Sequence, residues 1–136
     1  MTLIEKASRA ALGWVFIQAG AGVIRDATVP VKKAEPLLDA LRKAAPVELP
    51  DNVALVRLNA GVHVAAGSAL ALGRAPRLAA AVLIGTLVPT TAGGHRFWEF
   101  EPGAERNTQR NHFLKNISIA GGLLHVLITP RRKDSA

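Results

Sequence analysis

Four intervals of this 136-residue chain contain no Asp, Glu, Lys or Arg, and each is closed at both ends by a basic side chain. They are Ala10–Ile24 between Arg9 and Arg25, Leu58–Gly73 between Arg57 and Arg74, Leu78–Gly94 between Arg77 and His95, and Asn116–Pro130 between Lys115 and Arg131. Each holds 15 to 17 residues. At a rise of ~1.5 Å per residue, helices of that length reach roughly 22 to 26 Å. A hydrocarbon core is ~30 Å thick and needs ~20 residues, with ~17 at the lower end. Arg and Lys stems that reach to the interface close the gap. The pattern predicts an all-α integral membrane four-helix bundle, a single transmembrane domain with spans near 9–25, 56–74, 77–95 and 112–130.

The alternative is a soluble, alanine-rich bundle. Its support is the weak apolarity of the runs, which hold many Ala and Gly together with Gln18, Asn59 and His63. A soluble helix of this length carries a charged solvent face, and these four have none. Hydrophobic residues make up 49% of the chain and mean hydropathy is positive, which is high for a soluble domain. The first segment lacks a small-residue cleavage pattern after its apolar stretch, so no cleavable signal peptide is expected.

Cysteine and tyrosine are absent, which excludes disulfide chemistry, cysteine-ligated metals and tyrosyl acids within this chain. The formal charge of +7 reads as a topology signal. The "RAPR" turn at 74–77 and the C-terminal "RRKDS" are dense in cations, as is the N-terminus with Lys6 and Arg9. The two longer loops balance their charges: Arg25, Lys32, Lys33, Arg42 and Lys43 against Asp26, Glu35, Asp39, Glu48 and Asp51 in the first. Density in short loops places both termini on the cytoplasmic side of a multi-pass membrane protein. No nucleic-acid motif or basic–aromatic stripe competes with this reading, so no nucleic-acid partner is expected.

The first outer loop contains "AEPLLDALRKAAP", with Ala34, Leu37, Leu38, Leu41 and Ala45 near one face. Pro36 suits a first turn and Pro46 a stop. A short amphipathic helix is expected here, capping the bundle in preference to lying on the bilayer surface.

Membrane helices associate through small residues and interhelical hydrogen bonds. Recurrence at three- and four-residue steps suggests inward stripes: Trp14, Gln18, Gly22 and Arg25 in the first span, Asn59, His63 and Gly67 in the second. Thr86 and Thr90 lie on the third, where Pro89 removes a backbone donor and predicts a kink. The fourth contributes Lys115, Ser118, Gly122, His125 and Thr129. Gln18, His63, Ser118 and His125 are thus the expected interior polar groups. Arg57, His95, Trp98, His112 and Lys115 sit near the outer edge, while His63 and His125 lie deeper. The outer cluster, with Asn59 and Asn116, supplies donors for a lipid headgroup or a quinone carbonyl, or else simply snorkels.

Haem ligation would need two opposed imidazoles at matched depth. His63 and His125 meet the depth requirement, but nothing else in the sequence asks for haem. Carboxylates and histidines at metal-ligand spacing are lacking, so no metal is expected. A Ser/His/Asp triad, a phosphate loop and paired carboxylates are likewise absent, so no catalytic residue is assigned.

"LVPTTAGGHRFWEF" followed by "QRNHFLKNISIAGGLL" resembles the DoxX family of small bacterial membrane proteins, as do "LGWVFIQAGAGVIRDA" and "RLNAGVHVAAGSALALGRAPRLAA". The specific parts are His95, Phe97 and Trp98, and the run from Phe113 to Asn116. The resemblance implies four membrane helices, no soluble domain and an association with respiratory or redox chemistry. Some members are named as subunits of a quinone-linked oxidoreductase, and a relative is tied to a membrane complex handling oxidative and thiol stress. The expected function is therefore an accessory subunit of a membrane redox or oxidative-stress complex that contacts quinone or lipid headgroups. Its partners would be the lipid bilayer and other membrane or redox proteins, with homo-oligomerisation left open. The alternatives are a non-catalytic membrane scaffold or assembly factor, and a small-solute or lipid carrier using the Pro89 kink.

Overall fold

Helix boundaries follow local capping chemistry more closely than the cation fences. At the N-terminus, Thr2 and Glu5 form a reciprocal capping box: the Glu5 amide donates to Thr2 Oγ1 at 3.2 Å and the Thr2 amide donates to Glu5 Oε2 at 2.8 Å. Two of the first-turn donors are satisfied in this way. Helix α1 therefore runs Leu3–Arg25, starting well before Arg9. Asp51 accepts from the Ala54 amide at 2.9 Å and starts α3 at Asn52–Ala71. Pro76, pre-organised for a first turn, opens α4 at Pro76–Gly94. These elements belong to a computed structural model that describes residues 2–129. Pro130, Arg131 and the C-terminal cation cluster lie outside the described residues.

The described residues form five α-helices and one 3-10 turn, with no strand. Helix α2 spans Thr28–Ala44, the 3-10 turn Phe97–Glu99, and α5 Ala104–Ile128. Three helices are long and apolar enough to cross a membrane: α1, α3, and α4 with its 3-10 extension. Helix α5 is not among them, although a fourth span over 112–130 is expected from the sequence. Its helix begins at Ala104, and even its most apolar stretch, residues 111–128, holds Asn111, His112, Lys115, Asn116 and His125, which lower its apolarity.

The loop helix is also longer than "AEPLLDALRKAAP" suggests. It starts at Thr28, so Pro36 falls inside it instead of in its first turn. Its stripe of Val29, Lys33, Leu37 and Leu41 repeats every four residues and borders a hollow between this helix and the others, with Val29, Lys33 and Leu41 still exposed. Helix α2 packs on α4 and α3, with Leu37 against Gly93 and Leu38 buried. It caps the bundle as expected.

Antiparallel neighbours build the core. Helices α1 and α3 make the most extensive pairing, and small residues allow it. A Cβ on Gly67 would lie 2.8 Å from the Gly13 carbonyl oxygen, and one on Gly20 would lie 2.5 Å from that of Ala60. At the other flank, Arg77 at the start of α4 donates to the Thr129 carbonyl at 2.8 Å, beyond the end of α5. The hydrophobic core of Phe16, Leu70, Ala80, Leu83 and Leu123 joins α1, α3, α4 and α5.

Candidate functional site

Two adjacent threonines on α4 organise the interior polar chemistry. Asn59 on α3 donates to Thr90 Oγ1 at 3.1 Å, and Thr90 in turn donates to the Thr86 carbonyl at 2.8 Å. On the opposite flank, Asn116 on α5 donates to Thr91 Oγ1 at 2.9 Å in a buried pair. Asn59 and Asn116 thus clamp α3 and α5 to α4. Helix α4 continues through Pro89 without a break in its helical assignment.

Beneath α2 lies a cavity of about 450 Å³, within the size range of small-molecule sites. Helices α1, α2, α3 and α4 form its walls, and α5 contributes Asn116 and Ile119. The lining is mostly aliphatic. Its polar members are Lys33 and His95, then Asn59, Thr90 and Asn116, then His63 beside Phe16. Lys33 is the only lining residue of permanent charge, and no carboxylate lines the cavity.

The histidines differ in their surroundings. His63 is only 6% exposed, meets Phe16 edge to face at 5.2 Å, and its Nε2 has no hydrogen-bond partner. An orphaned buried polar atom is costly; the His63 residue lines the cavity, while Nε2 itself is covered. His95 follows the last residue of α4 and stacks on His112 at 5.0 Å. Its Nδ1 is 2.9 Å from Gln109 Oε1. A carboxamide oxygen only accepts, so Nδ1 carries the proton and Nε2 is left as an acceptor. The titratable neighbours of this ring are Lys33, Lys115 and His112, all basic side chains.

The structure gathers Asn59, His63, His95 and Asn116 around the cavity and leaves out other sequence candidates. Arg57 and Lys115 are exposed and line neither this cavity nor the smaller groove nearby. Trp98 is exposed and packs edge to face on Phe97 and Phe113, lining that groove instead.

Three of the four expected interior polar groups, Gln18, Ser118 and His125, are exposed. The buried face of α1 carries Gly13, Phe16 and Gly20, not Trp14, Gln18 and Gly22. That of α5 carries Gln109, Asn116 and Leu123. One residue is ~100° of helix rotation, and choosing Asn116 over Lys115 avoids burying an uncompensated cation. His63 is buried and His125 exposed, so the two imidazoles share no interior site.

Lys33, Thr91 and Gln109 lie outside the candidates that the sequence suggests. The seven-residue spacing of Gln109, Asn116 and Leu123 is a signal for the true face of α5. Lys33 could be found from its place between Val29 and Leu37 on an apolar stripe.

The DoxX family model matches residues 6–96. The chain belongs to the DoxX family. No curated protein and no solved structure matches it. The matched segment of this DoxX protein carries α1 to α4 and every residue of the cavity wall except Asn116 and Ile119. With its three long apolar helices, it is a multi-pass membrane protein.

Proposed function

We propose that this DoxX protein is a four-span accessory subunit of a membrane redox or oxidative-stress complex, and that it holds a quinone headgroup in the cavity beneath α2. The observation that carries this reading is an aliphatic cavity free of carboxylates whose wall includes His63, a buried imidazole whose covered Nε2 has no partner and would reach a ligand by a turn of the ring. A quinone presents carbonyl acceptors on an apolar ring, and its reduced form presents hydroxyl donors. An imidazole can meet either form by donating or accepting. Asn59 and Asn116 hold the walls, and Lys33 and His95 flank the ligand.

In this reading α5 is the fourth span. Its C-terminal half is apolar, and it runs antiparallel to α4, with His95 against Gln109 at one end and Arg77 against Thr129 at the other. The cation-dense "RAPR" turn and both termini then share one side, the cytoplasmic side of the inner membrane.

The deciding experiment is purification in mild detergent, with bound quinones, lipids and partner proteins identified by mass. Quinone should accompany the parent protein. Its occupancy should fall about fivefold or more in His63→Leu, the scale of one lost hydrogen bond. Parent protein that carries membrane partners but no quinone would sink the ligand reading.

That outcome would favour a scaffold or assembly factor, which has its own support. Gln18 and His125 are exposed on apolar stretches of their helices, and such groups commonly bond to neighbouring spans.

A further inference from the structure

Gln18 stands near the middle of the charge-free run between Arg9 and Arg25, more than ~10 Å from either end by helical rise. Long Arg and Lys stems reach water from inside a bilayer, but a glutamine is too short to do so from mid-span. It is nevertheless exposed, on the face of α1 turned away from Gly13, Phe16 and Gly20. Trp14, one turn earlier on the same face, is 58% exposed. Among the described residues neither side chain has a hydrogen-bond partner, and neither lines the cavity or the smaller groove.

A carboxamide and an indole N–H are thus presented to hydrocarbon at a depth where water cannot satisfy them, which is costly. A helix laid against this face removes that cost and covers the indole ring. The carboxamide selects among possible partners. It carries both donor and acceptor, so two copies of it satisfy each other by exchanging two N–H···O bonds. A two-fold axis along the membrane normal sets the same residue of both copies at the same depth. A different protein would need a matching group of its own at that level. Arg25 ends the same face, but at the outer end of α1 beside Asp26, where water and salt screen like charges.

We propose that the outward face of α1 is a homodimer interface. Helix α1 of a second copy lies parallel against it, Gln18 of one copy is bonded to Gln18 of the other, and Trp14 packs beside the pair. This inference is independent of the cavity reading, because neither residue belongs to the cavity wall.

The test uses full-length protein reconstituted in phosphatidylcholine vesicles. The chain has no cysteine, so single introduced cysteines report position. Ala11 is exposed two turns before Gln18 on the same face, and Ala65 is exposed on the side of α3 away from Gly67. Ala11→Cys should crosslink to a second copy through a short, lipid-permeable bis-maleimide, and Ala65→Cys should not. Dissociation is then read by energy transfer between copies labelled at Glu101→Cys, exposed in the loop before α5, as the vesicles are diluted with lipid. Gln18→Leu should weaken the dimer about fivefold or more, the scale of one or two interhelical hydrogen bonds. Gln18→Asn keeps a carboxamide and should stay within about threefold of the parent. Gln18 bonds nothing within its own chain, so neither substitution should disturb folding of the monomer.

A dimer that Gln18→Leu leaves unchanged would overturn the interface, as would crosslinking at Ala65 and not at Ala11. So would a parent protein that stays monomeric at the highest protein-to-lipid ratio. Crosslinking of Ala11→Cys in native membranes to a protein of different mass, with no homodimer, would overturn the second-copy assignment and give the face to another subunit.

Discussion

Gly13 and Gly67 meet backbone to backbone where α1 crosses α3. A Cβ on either glycine would collide with the carbonyl oxygen of the other. The same Cβ on Gly13 would also crowd Ala71 at 3.0 Å. The close approach lets Phe16 and His63 pack edge to face one turn away, so this pairing shapes one wall of the cavity.

Gly13→Val and Gly67→Val should therefore each destabilise the protein by about 1–3 kcal/mol, because backbone cannot move aside as a flexible side chain can. Gly22→Ala is the matched control. Nothing lies within 4 Å of its added methyl, and replacing a helical glycine should be neutral or stabilising by up to about 1 kcal/mol. Thermal unfolding in detergent, followed by gel-filtration recovery, measures all three.

Asn116 and Thr91 form the one buried interhelical side-chain bond between α4 and α5 among the described residues. A double-mutant cycle with Asn116→Leu and Thr91→Val should give a coupling energy of about 0.6 kcal/mol, and no more than ~1.7. The cycle is read from denaturation in mixed micelles of increasing SDS content. Strict additivity of the two substitutions would show that the pair is not coupled.

The charge-free runs of this chain were enough to point to three long apolar helices, α1, α3 and α4, though not to their ends, because uncharged runs of that length leave few alternatives to a membrane helix. They were not enough to orient those helices. Polar residues at three- and four-residue spacing point to Gln18, Ser118 and His125 as interior groups, yet close packing of small residues decided the faces. Gly13 and Gly20 bring α1 against α3, and that turns Gln18 outward. On α5 the error is a single residue: Asn116 is buried and Lys115 exposed. The cavity follows the same logic. His63 and Asn59 are legible because they share the stripe of Gly67, while Lys33 depends on where α2 begins, which the internal position of Pro36 obscures.

Arg42 acts as a clamp for the loop into α3. Its guanidinium donates to the carbonyls of Leu49 and Pro50 and to Asn52 Oδ1, each at 2.8 Å. Three acceptors in one planar fork suit arginine and not a lysine point charge. Arg42→Ala and Arg42→Lys should both accelerate proteolysis within residues 45–51 and raise amide exchange there. The bonds are partly exposed, so the loss of global stability should stay at about 1 kcal/mol or less. Rescue by lysine would contradict the fork assignment.

Asp26 links α1 to α2 through acid chemistry. Hydrogen bonds from Thr28, first its hydroxyl and then its amide, hold the Asp26 carboxyl below its ordinary value of 3.8. A carboxyl whose folded value is depressed adds stability above its unfolded value, and that stability is lost as pH falls through the folded value. Amide protection in the first turn of α2, taken relative to the intrinsic exchange rate at each pH, should therefore be flat at and above about pH 5 and fall as pH drops below the ordinary value near 4. Asp26→Asn should remove that pH dependence. An unchanged profile in the variant would assign the transition to another carboxylate.

His63 makes opposite demands on stability and on ligand retention. Its Nε2 is buried without a partner, and replacing such a group by an apolar side chain of similar reach removes a desolvation cost of about 1–3 kcal/mol. His63→Leu should thus raise the unfolding temperature of the ligand-free protein while lowering its retained quinone. His63→Ala should do neither cleanly, because it also opens a void beside Phe16 and costs about 2 kcal/mol or more in packing. The discriminating measurement is unfolding of quinone-depleted parent and His63→Leu side by side. If the leucine variant is the less stable of the two, His63 has a structural partner and its imidazole is not being held for a ligand. If it is more stable and binds less, the buried nitrogen is a destabilising feature offset by what it binds, as expected of a functional site in a marginally stable fold.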